Sequence, residues 1–282
     1  MIRRAIMTVF DVQLGLAVHV KAPNGKYIVI DLGTGTPASG NTSPLNKRRG
    51  EYIAYMIITH PHLDHIDDIL SFDFNKPEIL QRQTSLTNDE VMKNVRDCDR
   101  AKFDKYCEIN NQYNLPVMPQ DENYIGNPEN YGGLSIQTFY TSECNHSNFN
   151  NFSIITVFTL SGVKIVVCGD NETESLCVLM DQEDFSTAVK DADVLVAPHH
   201  GRDSAYHSNF VSWVNPRITI ISDTAKTAAS ASDKYTQMSR GWKVNGTERK
   251  CLTTRNDGNI MVEFGESDDP QYTGVLFISK SK

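Results

Sequence analysis

Short apolar runs separated by turn residues dominate the first sixty positions of the chain. Between two of these runs stands Asn24-Gly25, which is typical of a tight hairpin turn. The pattern predicts four strands, at 6–11, 16–21, 27–31 and 52–58. A long loop at 34–50, rich in glycine, proline, serine and asparagine, interrupts them.

Apolar side chains at helical spacing mark the middle of the chain. Residues 84–115 carry them among charged residues, so we expect one or two helices there. Residues 116–150 follow as an irregular stretch rich in asparagine, glycine, tyrosine and proline. We interpret 84–150 as an insertion, because a long loop in a compact domain is usually a lid or a substrate-recognition element. Disorder in part of it is the alternative.

Strand patterns resume after Phe152 and alternate with helical ones. Strands are predicted at 154–160, 163–168, 194–197, 218–222, 250–254, 260–264 and 275–278, and helices at 172–180 and 204–214. Each half of the chain begins with strands and continues with mixed elements, which favours two similar halves. The predicted fold is therefore an α/β protein, an αβ/βα four-layer sandwich, with 1–282 as a single domain.

Composition limits the possible surroundings and partners. Apolar content of 39% and charged content of 22% are typical of a globular protein, and no apolar run is long enough to cross a membrane. The six cysteines show no paired spacing, which favours a reducing cytoplasm. A net charge of −8 argues against a broad surface for long nucleic acid. It leaves room for a nucleotide or a single strand bound at a metal centre, and for a homodimer.

The densest group of polar residues follows the fourth predicted strand. It contains His60, His62, Asp64 and His65 within six positions. Imidazole and carboxylate groups at a buried strand end are costly unless something binds them, and together they suit Zn²⁺ or Mn²⁺. His60 and His62 can point one way from an extended turn, while Asp64 and His65 open a helix at 66–72. One loop could therefore serve two ions; a polar turn with chance histidines is the alternative.

Further candidate ligands stand at later strand ends. Asp170 follows an apolar strand and is interpreted as a carboxylate bridging two ions, with an exposed turn as the alternative. At least one of His199 and His200 should be a ligand; we assign His200 to the metal and His199 to the substrate. His146 stands before the strand at 154–160 and is a candidate ligand.

The chain resembles the metallo-β-lactamase superfamily in the motifs His60-x-His62-x-Asp64-His65, Gly169-Asp170 and His199-His200-Gly201. More closely, it resembles the metallo-β-lactamase-like domain of ComEC-type competence DNA-uptake proteins. The further motifs that carry this resemblance are Asn150-x-x-Ser153, Cys168-Gly169-Asp170-x-Glu172, Ala197-Pro198-His199-His200-Gly201 and Thr254-x-x-Asp257-Gly258-x-Ile260. The superfamily's third histidine of the first metal site has no clean counterpart, and either His146 or Asn150 would complete that site.

A hydrolytic mechanism follows from two ions that share Asp170. Such a pair lowers the pKa of a bridging water and stabilises charge on a phosphoryl oxygen. Asp64 would orient the water and bind the second ion, and His199 or His207 would protonate the leaving group. His207 is otherwise a helix-surface residue.

The resemblance to ComEC-type domains implies a metal-dependent phosphodiesterase or nuclease that acts on nucleotides or single-stranded nucleic acid. One alternative is a hydrolase of phosphorylcholine-type or acyl esters. Another is a catalytically degenerate member of the fold that binds a nucleotide or a partner, which the incomplete first site would favour. The fold alone cannot choose among these, because it carries several hydrolytic chemistries.

Overall fold

The secondary structure alternates strands with short helices along the whole chain. A computed structural model describes residues 2–36, 40–224 and 230–282. The described residues form the strands β1 (Arg4–Val9), β2 (Val18–Lys21), β3 (Tyr27–Ile30), β4 (Ile53–Ile58), β5 (Ile79–Arg82), β6 (Ser135–Phe139), β7 (Ile155–Leu160), β8 (Val163–Val167), β9 (Val194–Val196), β10 (Ile218–Ile221), β11 (Trp242–Val244), β12 (Thr247–Arg249), β13 (Cys251–Thr253), β14 (Ile260–Glu266) and β15 (Gly274–Lys280). The helices are α1 (Leu63–Ile66), α2 (Asn88–Met92), α3 (Arg100–Gln112), α4 (Thr173–Met180), α5 (Glu183–Val189), α6 (Ser208–Val214), α7 (Ser232–Met238) and α8 (Thr254–Asp257).

Two sheets contain these strands. The first has the order β12-β11-β15-β14-β1-β2-β3-β4-β5, and the second has the order β13-β10-β9-β8-β7-β6. Strands β3, β4 and β5 run parallel in the first sheet, and β8, β9, β10 and β13 run parallel in the second. Because the carboxyl ends of parallel strands open at the same edge of a sheet, the loops after β4, β8 and β9 are available to one site.

The apolar side chains form clusters between the sheets and on their outer faces, which gives four layers. One cluster lies between the sheets and includes Met7, Ile30 and Ile57 from the first and Ile165 and Val196 from the second. Both strand sets are almost continuously apolar, as expected for strands covered on both faces. The resulting architecture confirms the predicted αβ/βα sandwich.

Helices cover the outer face of each sheet. Helices α1 and α3 contribute Ile66, Tyr106 and Ile109 to a cluster on the outer face of the first sheet. On the second sheet, α4, α5, α6 and α7 contribute Leu176, Phe185, Phe210 and Tyr235 among others. No helix of the residues described is long and apolar enough to pass through a lipid bilayer.

Most predicted strands lie within about two residues of the observed ones, but the predicted insertion at 84–150 needs correction. It contains β6, which pairs antiparallel with β7 and closes one edge of the second sheet. Tyr131, Leu134 and Ile136 also belong to the core between the sheets. This segment is therefore part of the sandwich itself, whereas α2 and α3 do lie on its surface as predicted.

Other differences concern short elements. The helix predicted at 66–72 is instead α1, which contains Asp64 and His65, followed by a 3₁₀ segment at Ile69–Phe74. The helix predicted at 204–214 begins only at Ser208, after a separate 3₁₀ turn at Asp203–Ala205. Strands β5, β11 and β12 and helices α5 and α7 were not predicted, because most are too short to show a clear period.

One buried histidine lies away from the strand-end loops. His19 is 2% exposed in β2, where its Nδ1 accepts a hydrogen bond from Arg48 Nε at 3.2 Å. Burial, together with the charge of Arg48, lowers the pKa of His19 from 6.5 to about 3. The folded protein therefore holds this imidazole neutral at pH values where an unfolded chain protonates it.

We expect this histidine to make the protein less stable in acid. As the pH falls below 6.5, His19 becomes protonated in the unfolded chain but stays neutral in the folded protein. This difference lowers the free energy of unfolding by up to about 1.4 kcal/mol per pH unit. The stability is present above pH 6.5 and is lost as pH falls towards 3. The free energy of unfolding, measured by urea titration between pH 7 and 4, should fall less steeply in His19→Gln than in wild type. Equal slopes would contradict this account.

Candidate metal centre

Four potential ligands from three separate loops meet at the edge of the sandwich. Asp64 and His65 belong to α1, Asp170 follows β8, and His200 follows β9. One ligand atom from each lies within 4.8 Å of those from the other three. Residues from both sheets thus converge on a single point.

The closest contacts at this point are between carboxylate oxygens and imidazole nitrogens. His65 Nε2 lies 3.1 Å from Asp170 Oδ1, and His200 Nε2 lies 3.3 Å from Asp170 Oδ2 and 3.4 Å from Asp64 Oδ2. In spite of these distances, His65 Nε2, His200 Nε2 and Asp170 Oδ1 make no hydrogen bond of acceptable geometry and are buried.

Buried polar atoms without hydrogen bonds are costly, and here they face one another around a common centre. Atoms bound to one Zn²⁺ at tetrahedral angles lie about 3.3 Å apart, given bonds of about 2.0–2.2 Å. The observed separations are close to this value. The residues therefore fit a divalent cation such as Zn²⁺ or Mn²⁺.

The histidines after β4 lie where the chain changes from strand to helix. All six residues of β4 are buried, and α1 begins at Leu63 with His62 in the extended conformation before it. The side chains before and after this change remain close, since the ring centroids of His60 and His65 lie 4.3 Å apart. His60 and His62 form one pair, whereas Asp64 and His65 join the four-residue cluster.

The backbone of the loop after β9 is strained at His199 and His200. His199 has φ 45° and His200 has φ 54°, and Gly201 follows at φ 66°. Two consecutive non-glycine residues in the left-handed region cost about 1–2 kcal/mol each. This tight turn lets neighbouring imidazoles approach Asp170 from different positions, with Nε2–Oδ2 distances of 3.9 Å for His199 and 3.3 Å for His200.

The buried carboxylate of Asp31 contacts Nδ1 of His65, whereas Nε2 of the same ring faces Asp170. Asp31 Oδ2 lies 2.7 Å from His65 Nδ1, and the two oxygens of Asp31 also accept hydrogen bonds from Thr59 N and Thr59 Oγ1, each at 2.7 Å. A carboxylate on Nδ1 favours the tautomer that leaves Nε2 free for a cation. The Asp31–His65 pair therefore orients the imidazole toward Asp170.

A second set of ring nitrogens lies beside the cluster. His60 Nε2 is 2.9 Å from His62 Nδ1 and 3.9 Å from Asp170 Oδ2. The other nitrogen of His60 lies 3.1 Å from Ser153 Oγ and 3.2 Å from Thr59 Oγ1. These hydroxyls hold the ring so that its Nε2 faces His62 and the carboxylate.

The electrostatics divide the histidines into two groups. Burial disfavours the charged form of His200, yet Asp170 and Asp64 raise its pKa to about 9. The pKa of His65 also lies well above its usual range, because Asp170 and Asp31 outweigh the effect of burial. The buried carboxylates therefore favour positive charge at this point, which a metal cation supplies.

The pKa values of His60, His62 and His199 are lowered instead, which favours the neutral imidazole. Burial is the main cause that lowers the pKa of His60, His62 and His199, and like charges on neighbouring imidazoles add to it for His60. The pKa of Asp170 is held well below its usual range by His200 and His65, although burial opposes this. Neutral imidazole and ionised carboxylate are the forms that bind metal.

Two predicted site residues lie elsewhere. His146 is exposed and pairs with Glu90, with 2.8 Å between His146 Nδ1 and Glu90 Oε1. His207 precedes α6 and caps it, since its Nδ1 accepts a hydrogen bond from Phe210 N at 3.2 Å. Neither side chain is brought to the four-residue cluster. Both contacts instead stabilise local structure.

Sequence reasoning did not assign roles to several residues around the centre. Ser153 and Glu172 stand in the quoted motifs without a predicted role, and Asp31 was not predicted as a site residue. Glu172 Oε1 lies 2.8 Å from His199 Nδ1. The sequence places these residues beside strand ends. That position does not reveal which imidazole each of them contacts.

No family model matches the sequence, and no curated protein matches it. Among solved structures, the chain is similar to a diphosphatase from the PhnP family, with 12% identity, TM-score 0.47 and coverage of 93% of this chain and 99% of that chain. It is similar to the metallo-β-lactamase fold protein YhfI from Bacillus subtilis, with 11% identity, TM-score 0.43 and coverage of 79% and 88%. It is also similar to a long form RNase Z from yeast, with 12% identity, TM-score 0.44 and coverage of 87% and 41%. At these values the similarity concerns chain fold and does not extend to substrate.

We expect Asp31→Asn to weaken metal binding without unfolding the protein. Asparagine tolerates the left-handed conformation of this residue, φ 58°, and keeps an oxygen for Thr59 N, but it removes the charge opposite His65. Loss of such an outer partner typically lowers metal affinity roughly 10- to 100-fold. Titration of Zn²⁺ against a chromophoric chelator measures this. Wild-type affinity would contradict the proposed orientation of His65.

Gly15 lies directly against the backbone of Asp64. Its φ is +118°, and a Cβ atom there would lie 2.3 Å from the carbonyl oxygen of Asp64. We expect Gly15→Ala to lower the melting temperature and metal content together. Gly25→Ala is the matched control, because Gly25 also has a positive φ, +89°, but nothing lies within 4 Å of its added Cβ. Equal effects of the two variants would show that conformation alone, and not the approach to Asp64, determines the loss.

Proposed function

We propose that this protein is a metal-dependent hydrolase that cleaves phosphodiesters in nucleotides or single-stranded nucleic acid. The observation that carries the proposal is the buried cluster of Asp64, His65, Asp170 and His200, whose unpartnered ligand atoms face a common centre. His60 and His62 lie beside it and offer donors to another ion, in what we call the first metal site; the four-residue cluster would hold the second ion. When bound, two divalent ions supply an activated water and neutralise charge on the substrate.

Each residue of the cluster has a distinct part in this proposal. Asp170 faces imidazoles on both sides with its two oxygens and would bridge the ions. His65 and His200 would bind the second ion through their Nε2 atoms. Asp64 is the least buried of the four, so its carboxylate is placed both to bind and to orient an attacking water.

The surroundings of His62 support a small anionic substrate with an aromatic part. A cavity of about 480 Å³ is lined by His62, Lys93, Asn94 and Phe149 among others. A neighbouring cavity of about 350 Å³ shares Lys93 and Phe149 and adds Arg96. Lys93 supplies positive charge for a phosphate, whereas Arg96 is paired with Asp99 at 2.7 Å and Glu90 also lines the first cavity. Phe149 offers a surface on which a base can stack.

The net charge favours short substrates over long ones. At −8 the protein repels a long polyanion, but salt screens this repulsion beyond roughly 8–10 Å at physiological ionic strength. A nucleotide that reaches the cavities meets Lys93, beside the acidic Glu90 and the Arg96–Asp99 pair. Cytoplasmic location, the homodimer and a ComEC-like role remain predictions; all six cysteines carry free thiols, which is consistent with the first.

Hydrolysis of phosphorylcholine-type or acyl esters is the alternative activity, and a catalytically degenerate nucleotide- or partner-binding protein is the non-enzymatic one. Lys93, which lines both cavities next to His62, favours an anionic substrate over a neutral acyl compound. The four-residue cluster opposes degeneracy, because a binding protein has no need to bury ligand atoms in this arrangement.

The test measures hydrolysis by the Mn²⁺- or Zn²⁺-loaded protein of bis(p-nitrophenyl) phosphate, nucleotides, single- and double-stranded DNA, RNA and an acyl thioester. We expect phosphodiesters to be cleaved faster than the thioester, single strands faster than duplex, and all activity to be lost with a chelator. Asp170→Asn should lose at least a hundredfold in turnover together with bound metal, because it removes the shared carboxylate. The exposed Asp269→Asn is the control.

A thioester turned over at least as fast as every phosphodiester would contradict the substrate class. Wild-type metal content and turnover in Asp170→Asn would contradict the metal centre itself.

A further inference from the structure

His60 and His62 are the two imidazoles of the proposed first metal site, and His199 is a further imidazole close to Asp170. His60 and His62 bring two ring nitrogens to within 2.9 Å of each other. Asp170 Oδ2 is 3.9 Å from His60 Nε2 and also 3.9 Å from His199 Nε2. The carboxylate oxygen is thus equidistant from the two imidazoles.

These distances are compatible with ligands of one ion. Two atoms bound to the same Zn²⁺ can lie at most about 4.2 Å apart, twice a bond of about 2.0–2.1 Å. His60 and His199 each satisfy this limit relative to Asp170 Oδ2. His200 approaches the same oxygen at 3.3 Å but also contacts Asp64, so it belongs to the neighbouring cluster.

Glu172 fixes the ring of His199 from its far side. Its Oε1 lies 2.8 Å from His199 Nδ1, although the approach is off the ideal line of a hydrogen bond. Glu172 is itself held, because Asn150 Nδ2 donates to its Oε1 at 3.0 Å and Asn148 Nδ2 donates to its Oε2 at 2.9 Å. A carboxylate behind one nitrogen keeps the proton there and leaves Nε2 as a metal donor.

The two candidates from the sequence are less suitable. His146 is exposed, and among the residues that the structure describes no ion pair joins it to Asp170. Asn150 is buried beside His62, but its amide nitrogen is used by Glu172, and an amide oxygen is a weaker ligand than imidazole for Zn²⁺. His199 combines a free Nε2 with a position next to the shared carboxylate.

We infer that His199 completes the first metal site together with His60, His62 and Asp170, and that Glu172 is a positioning residue for it. The left-handed turn at His199 and His200 would then place one imidazole at each of two adjacent ions. This inference rests on the proposed two-metal centre and specifies its first site. It replaces the role of substrate contact and proton donor expected for His199.

The experiment measures ions per molecule by mass spectrometry after loading with Zn²⁺, and affinities by chelator competition. We expect two ions in wild type and one in His199→Asn, with the remaining ion held at wild-type affinity. Glu172→Ala should keep both ions but lower the affinity for the weaker one roughly 10- to 100-fold. In Co²⁺-loaded protein, the visible absorption of one site should disappear in His199→Asn. His146→Ala and His207→Ala are the controls and should match wild type.

Circular dichroism establishes that each variant is folded, and His199→Gln provides a second substitution should His199→Asn fail to fold. Two ions at wild-type affinity in the folded His199 variant, with only turnover reduced, would overturn the inference in favour of a proton donor. Loss of an ion in His146→Ala would overturn it in favour of that residue. Both results leave the proposed hydrolase standing if Asp170→Asn still loses metal. A wild-type protein that binds no ion would overturn both proposals.

Discussion

The structure depends on one buried carboxylate, that of Asp170, which is 3% exposed and faces imidazoles from separate loops. A lone charge at that depth would cost several kcal/mol, so the surrounding residues must compensate it. They do so from both sheets: His65 comes from the loop after β4, and His200 from the loop after β9. The sandwich is therefore joined at its edge by electrostatics as well as by the apolar core between its sheets.

Several imidazoles of the site are positioned by a polar group that contacts one of their two ring nitrogens. Asp31 contacts His65, the hydroxyl groups of Ser153 and Thr59 contact His60, and Glu172 contacts His199. Each contact occupies one ring nitrogen and leaves the other directed toward Asp170 or its neighbours. Such outer contacts reduce the entropy lost on binding a cation, because the rings are already oriented. Strain at His199 and His200 is tolerated for the same purpose.

Much of this arrangement could be predicted from sequence. The apolar runs that end in His60, Asp170 and His199 mark buried parallel strands, and such strands place their carboxyl ends together. Asp64, His65, Asp170 and His200 were expected to meet, and the structure brings them together. The strands of the core were placed to within a few residues because their apolar pattern is long and regular.

What could not be predicted depends on tertiary contacts. Strand β6 looked like part of an irregular insertion, since its role as an edge strand is set by pairing with β7 and not by its own pattern. His146 and His199 are equally plausible ligands by residue type, and each has a glutamate oxygen 2.8 Å from its Nδ1. Only the burial of His199 and its approach to Asp170 separate them. The spacing of motifs locates a loop, but it does not specify which direction each ring faces within it.

The proposed anionic substrate would have to approach an acidic protein through the cavities beside His62. Net charge acts over the distance at which a long polymer first approaches, whereas Lys93 acts only within the cavities that it lines. Short phosphodiesters experience mainly the local field, and long duplexes experience both. Selectivity for small substrates would therefore arise from the distribution of charge, with no need for a steric barrier.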